Sequence, residues 1–267
     1  MNTIDAIKQV SVLGLDGFQM GANYHEHDPE NMSAVDRVEL LRIVKSYGLK
    51  LSAICGDFGR GFTHPDMNRK LIDKTKQIIE LALDLETNIV TTHIGVIPEN
   101  TAHIRYKILQ DACYELAKIA YAMGAGLAIE TGPETAKVLK DFLDSLSCKG
   151  IGVNLDPANL VMIPGDDPIS AVYTLNKYII HTHAKDGVKL LDSDPEALYG
   201  DIENSIHDVV YFEERPLGKG MVDFDAYLNA LTDIGYTGFL TIEREVSDAP
   251  ADDIIQAVNF LRSKMNL

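Results

Sequence analysis

The chain has 267 residues, 46% of them hydrophobic, and a formal net charge of −16. This acidic balance argues against non-specific nucleic-acid binding, which needs a basic face, and no run of about 18 apolar residues offers a membrane span. The N-terminal MNTIDAIKQV has no basic region followed by an apolar block, and Cys55, Cys113 and Cys148 form an odd set without ligand spacing, so reduced thiols in a cytoplasmic protein are expected.

Ile4, Ile7, Val10 and Leu13 make a helical stripe closed by Gly14. Gly17 to Ala22 reads as a short strand. Ser33 offers a cap to a helix whose apolar period (Val35, Val38, Leu41, Ile43, Val44) runs to Gly48. Leu49 to Cys55 reads as a strand interrupted by Ser52, and Asp57 to Pro65 as a polar loop. A long helix is expected from Pro65 to Leu85, a strand from Asn88 to Ile94, and a second long helix from Pro98 to Met123, stopped by Gly124. Leu127 to Glu130 is a four-residue strand cut by Thr131-Gly132-Pro133, and Glu134 to Leu146 a helix. Gly150 to Leu155 is a strand ending in Asp156 and Pro157. A short helix spans Asp167 to Asn176, and Tyr178 to His183 is a strand. The polar stretch from Asp186 to Val222 is expected to cover a site. Asp223 to Gly235 is a helix, Gly238 to Ile242 a strand, and Ala251 to Leu261 a final helix.

Strand and helix alternate with short connections, which implies parallel strands with right-handed crossovers. No linker divides the pattern, so residues 1–267 are expected to form one domain. An α/β architecture of the (β/α)8 TIM-barrel type fits best; a doubly wound sheet would show a glycine-rich phosphate loop after an early strand, and none is present. The count gives seven strands, with the first barrel strand missing ahead of Thr3. A barrel with a gap exposes two strand edges, so a homo-oligomer or some covering of the gap is expected.

Chemistry collects at the strand ends: His93 in TTHIG, Glu130 in AIETGPE, Asp156 in NLDPAN, His183 in HTHAKD and Glu243 in TIERE, with Asp57 after the second strand. In a barrel these side chains meet at one face. Each alone reads as a polar strand terminus, but five at equivalent positions point to a site. His181, His183 and Lys185 share a strand face; His181 reads as a structural imidazole. Glu130, Asp156, His183 and Glu243 make a set of three carboxylates and one histidine that suits a divalent cation, with Mn²⁺, Mg²⁺, Co²⁺ or Zn²⁺ all compatible. Carboxylates converging without a cation would repel and drive their pKa values up.

From ETGPE onward, through NLDPANL, HTHAKD, PLGKG and TIERE, the chain resembles the xylose-isomerase-like barrel superfamily, which includes sugar and sugar-phosphate isomerases and epimerases, inosose dehydratases and type IV apurinic endonucleases. The resemblance is nearest to the ketose 3-epimerases. It implies one divalent metal ion held by Glu130, Asp156, His183 and Glu243, and proton transfer by Glu130 and Glu243 on opposite faces of a sugar or sugar-phosphate substrate, through a metal-stabilised enediolate. It also implies substrate contacts from His93, Asn159, Lys185 and Arg215. Asn159 departs from the epimerase pattern, which has histidine there. That departure, with the absence of an Asp-x-His pair before Val222, also sets the chain apart from the three-zinc nucleases. An inosose-type dehydratase and a non-catalytic sugar-binding relative are the alternatives to the isomerase.

Overall fold

A computed structural model describes residues 2–199 and 209–265. Residues 200–208, in the middle of the polar stretch expected to cover the site, lie outside the described residues. The elements run α1 (Thr3–Val12), β1 (Gly17–Gly21), α2 (Ala34–Ser46), β2 (Lys50–Cys55), α3 (Pro65–Asp84), β3 (Ile89–Thr92), α4 (Ile104–Met123), β4 (Gly126–Glu130), α5 (Ala136–Leu146), β5 (Ile151–Leu155), α6 (Pro157–Met162), α7 (Pro168–Thr174), β6 (Ile179–Ala184), β7 (Asp186–Lys189), α8 (Pro195–Leu198), β8 (Phe212–Arg215), α9 (Phe224–Asp233), β9 (Leu240–Ile242) and α10 (Pro250–Met265).

Seven strands form one parallel sheet in the order β1-β2-β3-β4-β5-β6-β9, curled into a nearly closed barrel, and β7 and β8 make a separate antiparallel pair. Helices cover the outside. Ile78, Ile79 and Ala82 of α3 and Leu109, Leu116 and Ala120 of α4 are fully buried, and each large aliphatic side chain so placed contributes about 1.5–3 kcal/mol. Local chemistry sets the start of α2 and the end of α4 where expected. Ser33 and Asp36 form a reciprocal capping box at α2, and Gly124, at φ +76°, ends α4 in the left-handed conformation that favours glycine.

The expected gap is present. Among the described residues β1 pairs with β2 and β9 with β6, and neither pairs with the other. Between their outer edges lies a cleft of about 1090 Å³, lined by Phe18, Gln19, Leu240, Ile242, Val258 and Arg262 among others. Arg262 of α10 reaches across its base and donates from Nη2 to the carbonyls of Leu13 and Gly14, both at 2.9 Å. This satisfies carbonyls that the end of α1 leaves unpaired and ties the two ends of the chain together.

Two local expectations need correction. The helix expected from Pro98 begins only at Ile104. No apolar residue recurs in PENTAH, Asn100 folds back on the Ala102 N–H at 3.0 Å, and the His103 ring caps the helix by accepting from the Arg105 N–H. The stretch from Asp186 is not all loop, because its two ends pair as β7 and β8.

Candidate metal centre and active-site pocket

Parallel strands bring their carboxyl ends to one mouth of the barrel, and four side chains converge there. Glu130 ends β4, Asp156 follows β5, His183 lies on β6 and Glu243 follows β9. One ligand atom from each lies within 4.8 Å of the other three. His183 Nδ1 is 3.2 Å from Glu243 Oε2, 3.3 Å from Asp156 Oδ2 and 3.7 Å from Glu130 Oε1. A cation with bonds of about 2.0–2.2 Å holds its ligands roughly 3–4.4 Å apart, so the four fit one ion with slight contraction. Three oxygens and one imidazole nitrogen, with no thiolate, suit a divalent ion of the magnesium-to-zinc range.

The charges of the cluster are strongly perturbed. Burial, and then the charge of Glu243, push the Glu130 carboxyl up to about 7. Burial also opposes ionisation of Glu243, but His183 and Lys185 overcome it and hold that carboxyl well below the usual range. His183 is raised well above the ordinary imidazole value; burial opposes this and the charges of Glu243 and Glu130 win. In the cation-free cluster the two glutamates are thus shifted in opposite directions, Glu130 up and Glu243 down.

Around the cluster, Glu130 Oε2 accepts from Asn154 Nδ2 and Oε1 from Asn159 Nδ2, both at 3.0 Å. Asp156 accepts the Asn159 N–H at 2.9 Å and so caps α6, a short helix not expected after the strand end at Asp156 and Pro157. His93 Nδ1 lies 2.7 Å from Asp57 Oδ2, and its Nε2 is 3.7 Å from Glu130. Burial opposes protonation of His93, but Glu130 and Asp57 raise it to about 9. Lys185 Nζ donates to Glu243 Oε2 at 3.0 Å and lies 3.2 Å from Glu214 and 3.5 Å from Glu245. A cavity of about 320 Å³ opens above, lined in part by Asp57, His93, Glu130, Asn159, Lys185 and Tyr199. Arg215 is not in this lining: it stands exposed on β8, paired with Glu213.

Beneath the cluster the barrel interior is polar. His181 is buried, its Nδ1 2.9 Å from Asn154 Oδ1 and its Nε2 3.1 Å from Thr241 Oγ1, which in turn meets Ser52 at 3.2 Å. Burial, reinforced by His183, lowers His181 to about 3 and keeps it neutral. Asp186 has a different task. It is buried and accepts the N–H groups of Gly187, Gly218, Gly220 and Val222 at 2.9–3.1 Å, which folds PLGKG back on the site. A Cβ at Gly220 would lie 2.1 Å from Asp186 Oδ1, so that glycine makes the close approach possible.

Residue chemistry had pointed to His93, Glu130, Asp156, Asn159, His183, Lys185 and Glu243, and the barrel brings these together. It did not single out Gln19, Asn154, Tyr199 or Glu214. For Asn154 a signal existed, a polar residue at an inward position two before Asp156. For Gln19, Tyr199 and Glu214 the approach is long-range and local pattern carries no trace of it.

The model of the family described as xylose isomerase-like TIM barrel matches residues 7–264. The chain belongs to the xylose isomerase-like TIM barrel family. One curated relative, the uncharacterized protein MJ1311 of Methanocaldococcus jannaschii, is 26% identical over 195 residues; the match takes in 68% of this chain and about 59% of the relative's length. Solved structures share this xylose isomerase-like fold over nearly the whole chain. A xylose isomerase domain protein from Planctomyces limnophilus has a TM-score of 0.80 at 24% identity, covering 98% of this chain and 93% of that one. A probable 3-DHS dehydratase, AsbF, from Bacillus anthracis has 0.75 at 17%, covering 98% and 93%. D-psicose 3-epimerase with D-tagatose from Clostridium cellulolyticum H10 has 0.73 at 17%, covering 100% and 93%. No described helix is long and apolar enough to cross a membrane.

Proposed function

We propose that the chain is a divalent-metal-dependent sugar isomerase or epimerase that moves a proton beside a carbonyl. The observation that carries this reading is the convergence of Glu130, Asp156, His183 and Glu243 within 4.8 Å, with Glu130 also lining the adjoining cavity. These four would hold the ion. When bound, it would supply Lewis-acid stabilisation for negative charge developing on the substrate oxygens.

Glu243, whose carboxylate Lys185 engages at 3.0 Å, takes the proton from the carbon beside the carbonyl. Glu130, on the other side of the cluster, returns a proton to the opposite face. His93 and Asn159 line the cavity beside Glu130 and hydrogen-bond substrate hydroxyls. Lys185 is already engaged by three carboxylates and acts mainly by holding Glu243. The lining includes Asp57, Glu130, Glu214 and Glu245 against Arg60 and Lys185. This surplus of carboxylates favours an uncharged polyhydroxy carbonyl compound over a phosphorylated one.

The test is deuterium incorporation from D₂O into a panel of ketoses and cyclic polyol ketones, with Mn²⁺, Co²⁺ or Mg²⁺ added. Exchange at the carbon beside the carbonyl, lost in Glu243→Gln while the fold survives, supports the reading. Retained exchange in that variant removes Glu243 from its role. The same acid and base could expel a hydroxyl after proton removal, as in a dehydratase; loss of water seen by mass spectrometry would select that outcome.

A further inference from the structure

We propose that Gln19 of β1 is a positioning residue that fixes which nitrogen of His183 is free for the cation. The inference rests on the metal-dependent reading above. It starts from the orientation of a buried ring: His183 is wholly buried and its Nδ1 faces Asp156, Glu243 and Glu130 at 3.2–3.7 Å. A cation shared with those carboxylates needs the lone pair on Nδ1. The single proton of the neutral ring must then sit on Nε2.

Two groups approach Nε2: Gln19 Oε1 at 3.3 Å and Asn154 Nδ2 at 3.2 Å. The orientation of the Asn154 amide is set by its other partners. Its nitrogen faces Glu130 Oε2 at 3.0 Å, which can only accept when ionised, and its oxygen faces His181 Nδ1 at 2.9 Å. Asn154 therefore presents a donor to Nε2 and favours the tautomer with its proton on Nδ1, where the cation must bind. Gln19 presents the acceptor and favours the opposite tautomer. The two side chains compete, and cation binding needs Gln19 to win.

The backbone supports this placement. The pairing of β1 with β2 slips between Phe18, opposite Leu51, and Gln19, opposite Ala53, leaving Ser52 as the extra residue. Irregularities of this kind re-aim side chains near sites. Gln19 is also the residue through which the open-edged strand β1 reaches the cluster, from the far end of the sheet order.

Gln19→Met keeps side-chain length and removes the acceptor; Gln19→Glu keeps an acceptor. Co²⁺ is titrated into the full chain and its affinity read by calorimetry and by the visible absorption of the bound ion. Loss of the outer partner of a ligating histidine typically weakens binding about 10- to 100-fold. The expectation is a loss in that range for Gln19→Met and recovery to near wild-type affinity in Gln19→Glu, with the cation-free Gln19→Met protein melting as the cation-free wild type does. Equal affinity in Gln19→Met and wild type overturns the role of Gln19 and leaves the metal site standing. A wild-type chain that binds no Co²⁺ overturns both. Should Gln19→Met fail to fold, histidine ¹⁵N shifts of the Zn²⁺-loaded wild type decide: metal on Nδ1 with a proton on Nε2 supports the inference, and metal on Nε2 overturns it.

Discussion

Lys185 and Glu243 form an ion pair that helps set the charge of the proposed base. The lysine side chain is 3% exposed and donates to Glu243 Oε2 at 3.0 Å, with the glutamate at 21%, while Glu214, itself 4% exposed, shares the ammonium at 3.2 Å. With His183, this lysine holds Glu243 below the usual carboxylate range against the effect of burial. Lys185→Met removes that charge, so the Glu243 carboxyl rises. The base is then protonated up to a higher pH, and the acidic limb of the kcat/KM profile for proton exchange moves upward. Each unit of that movement costs about tenfold in rate on the limb. Breaking a buried pair on one side also destabilises by about 3–5 kcal/mol, partly offset here because Arg244 still holds Glu214 at 3.1 Å. An unchanged acidic limb would show that Lys185 does not tune Glu243.

Glu134 makes a second prediction, this one about stability. It is buried, its Oε2 has no hydrogen-bond partner, and burial pushes its carboxyl up to about 8, although the Ile97 backbone and the His93 charge pull the other way. The sign follows from proton counting. Between the unfolded value of 4.5 and the folded value of about 8, the folded chain binds the proton more tightly. Stability therefore falls as pH rises through that window and levels off above it. Glu134→Gln removes the titrating group, so its melting temperature should fall less between pH 5 and pH 9 than that of the wild type. A shift of this size corresponds to a few kcal/mol. Parallel pH curves for the two proteins would exclude Glu134 as the source.

Much of this molecule was readable before its structure. The alternation of strand and helix, the seven strands and the gap all follow from apolar period and breaker residues, because those act locally. The four side chains of the cluster were visible because parallel strands carry chemistry at one end, so TIE, NLD and HTH need no distance information to be aligned. The β7–β8 pair was not visible. Its two strands are polar and lie more than twenty residues apart, so neither period nor turn chemistry announces them. The start of α4 was misplaced because Pro98 follows helix-start chemistry while the apolar repeat begins at Ile104. Gln19 was missed because its approach to His183 depends on the curling of β1 toward β6 and on a one-residue slip against β2.

The open edges of β1 and β9 carry a prediction of their own. Unpaired strand edges favour association with another chain, so sedimentation should find more than one chain per particle. Amide exchange on β1 and β9 should then speed up on dilution while β4 and β5, each paired on both sides, stay protected. A particle of one chain at every concentration, with β1 and β9 exchanging freely, would show that the gap stays open.

Cation addition should stabilise the chain through the same four ligands. A ligand that binds only the folded state contributes RT ln(1 + [L]/Kd), about 2.7 kcal/mol at a hundredfold excess over Kd, which for a chain of this size raises the melting temperature by roughly 5–10 °C. Glu130→Gln separates this effect from ordinary packing. Glutamine keeps the size of Glu130 but turns an amide N–H toward Asn154 or Asn159, each of which now donates to a Glu130 oxygen at 3.0 Å. The cation-free variant should therefore melt somewhat below the cation-free wild type, and the effect of the cation is read from each protein's own cation-free value. The variant lacks one carboxylate of the cluster, so the rise on adding Mn²⁺ or Co²⁺ should shrink or vanish, and a chelator should return the wild type to its cation-free value. An equal rise in variant and wild type would place the bound ion away from Glu130.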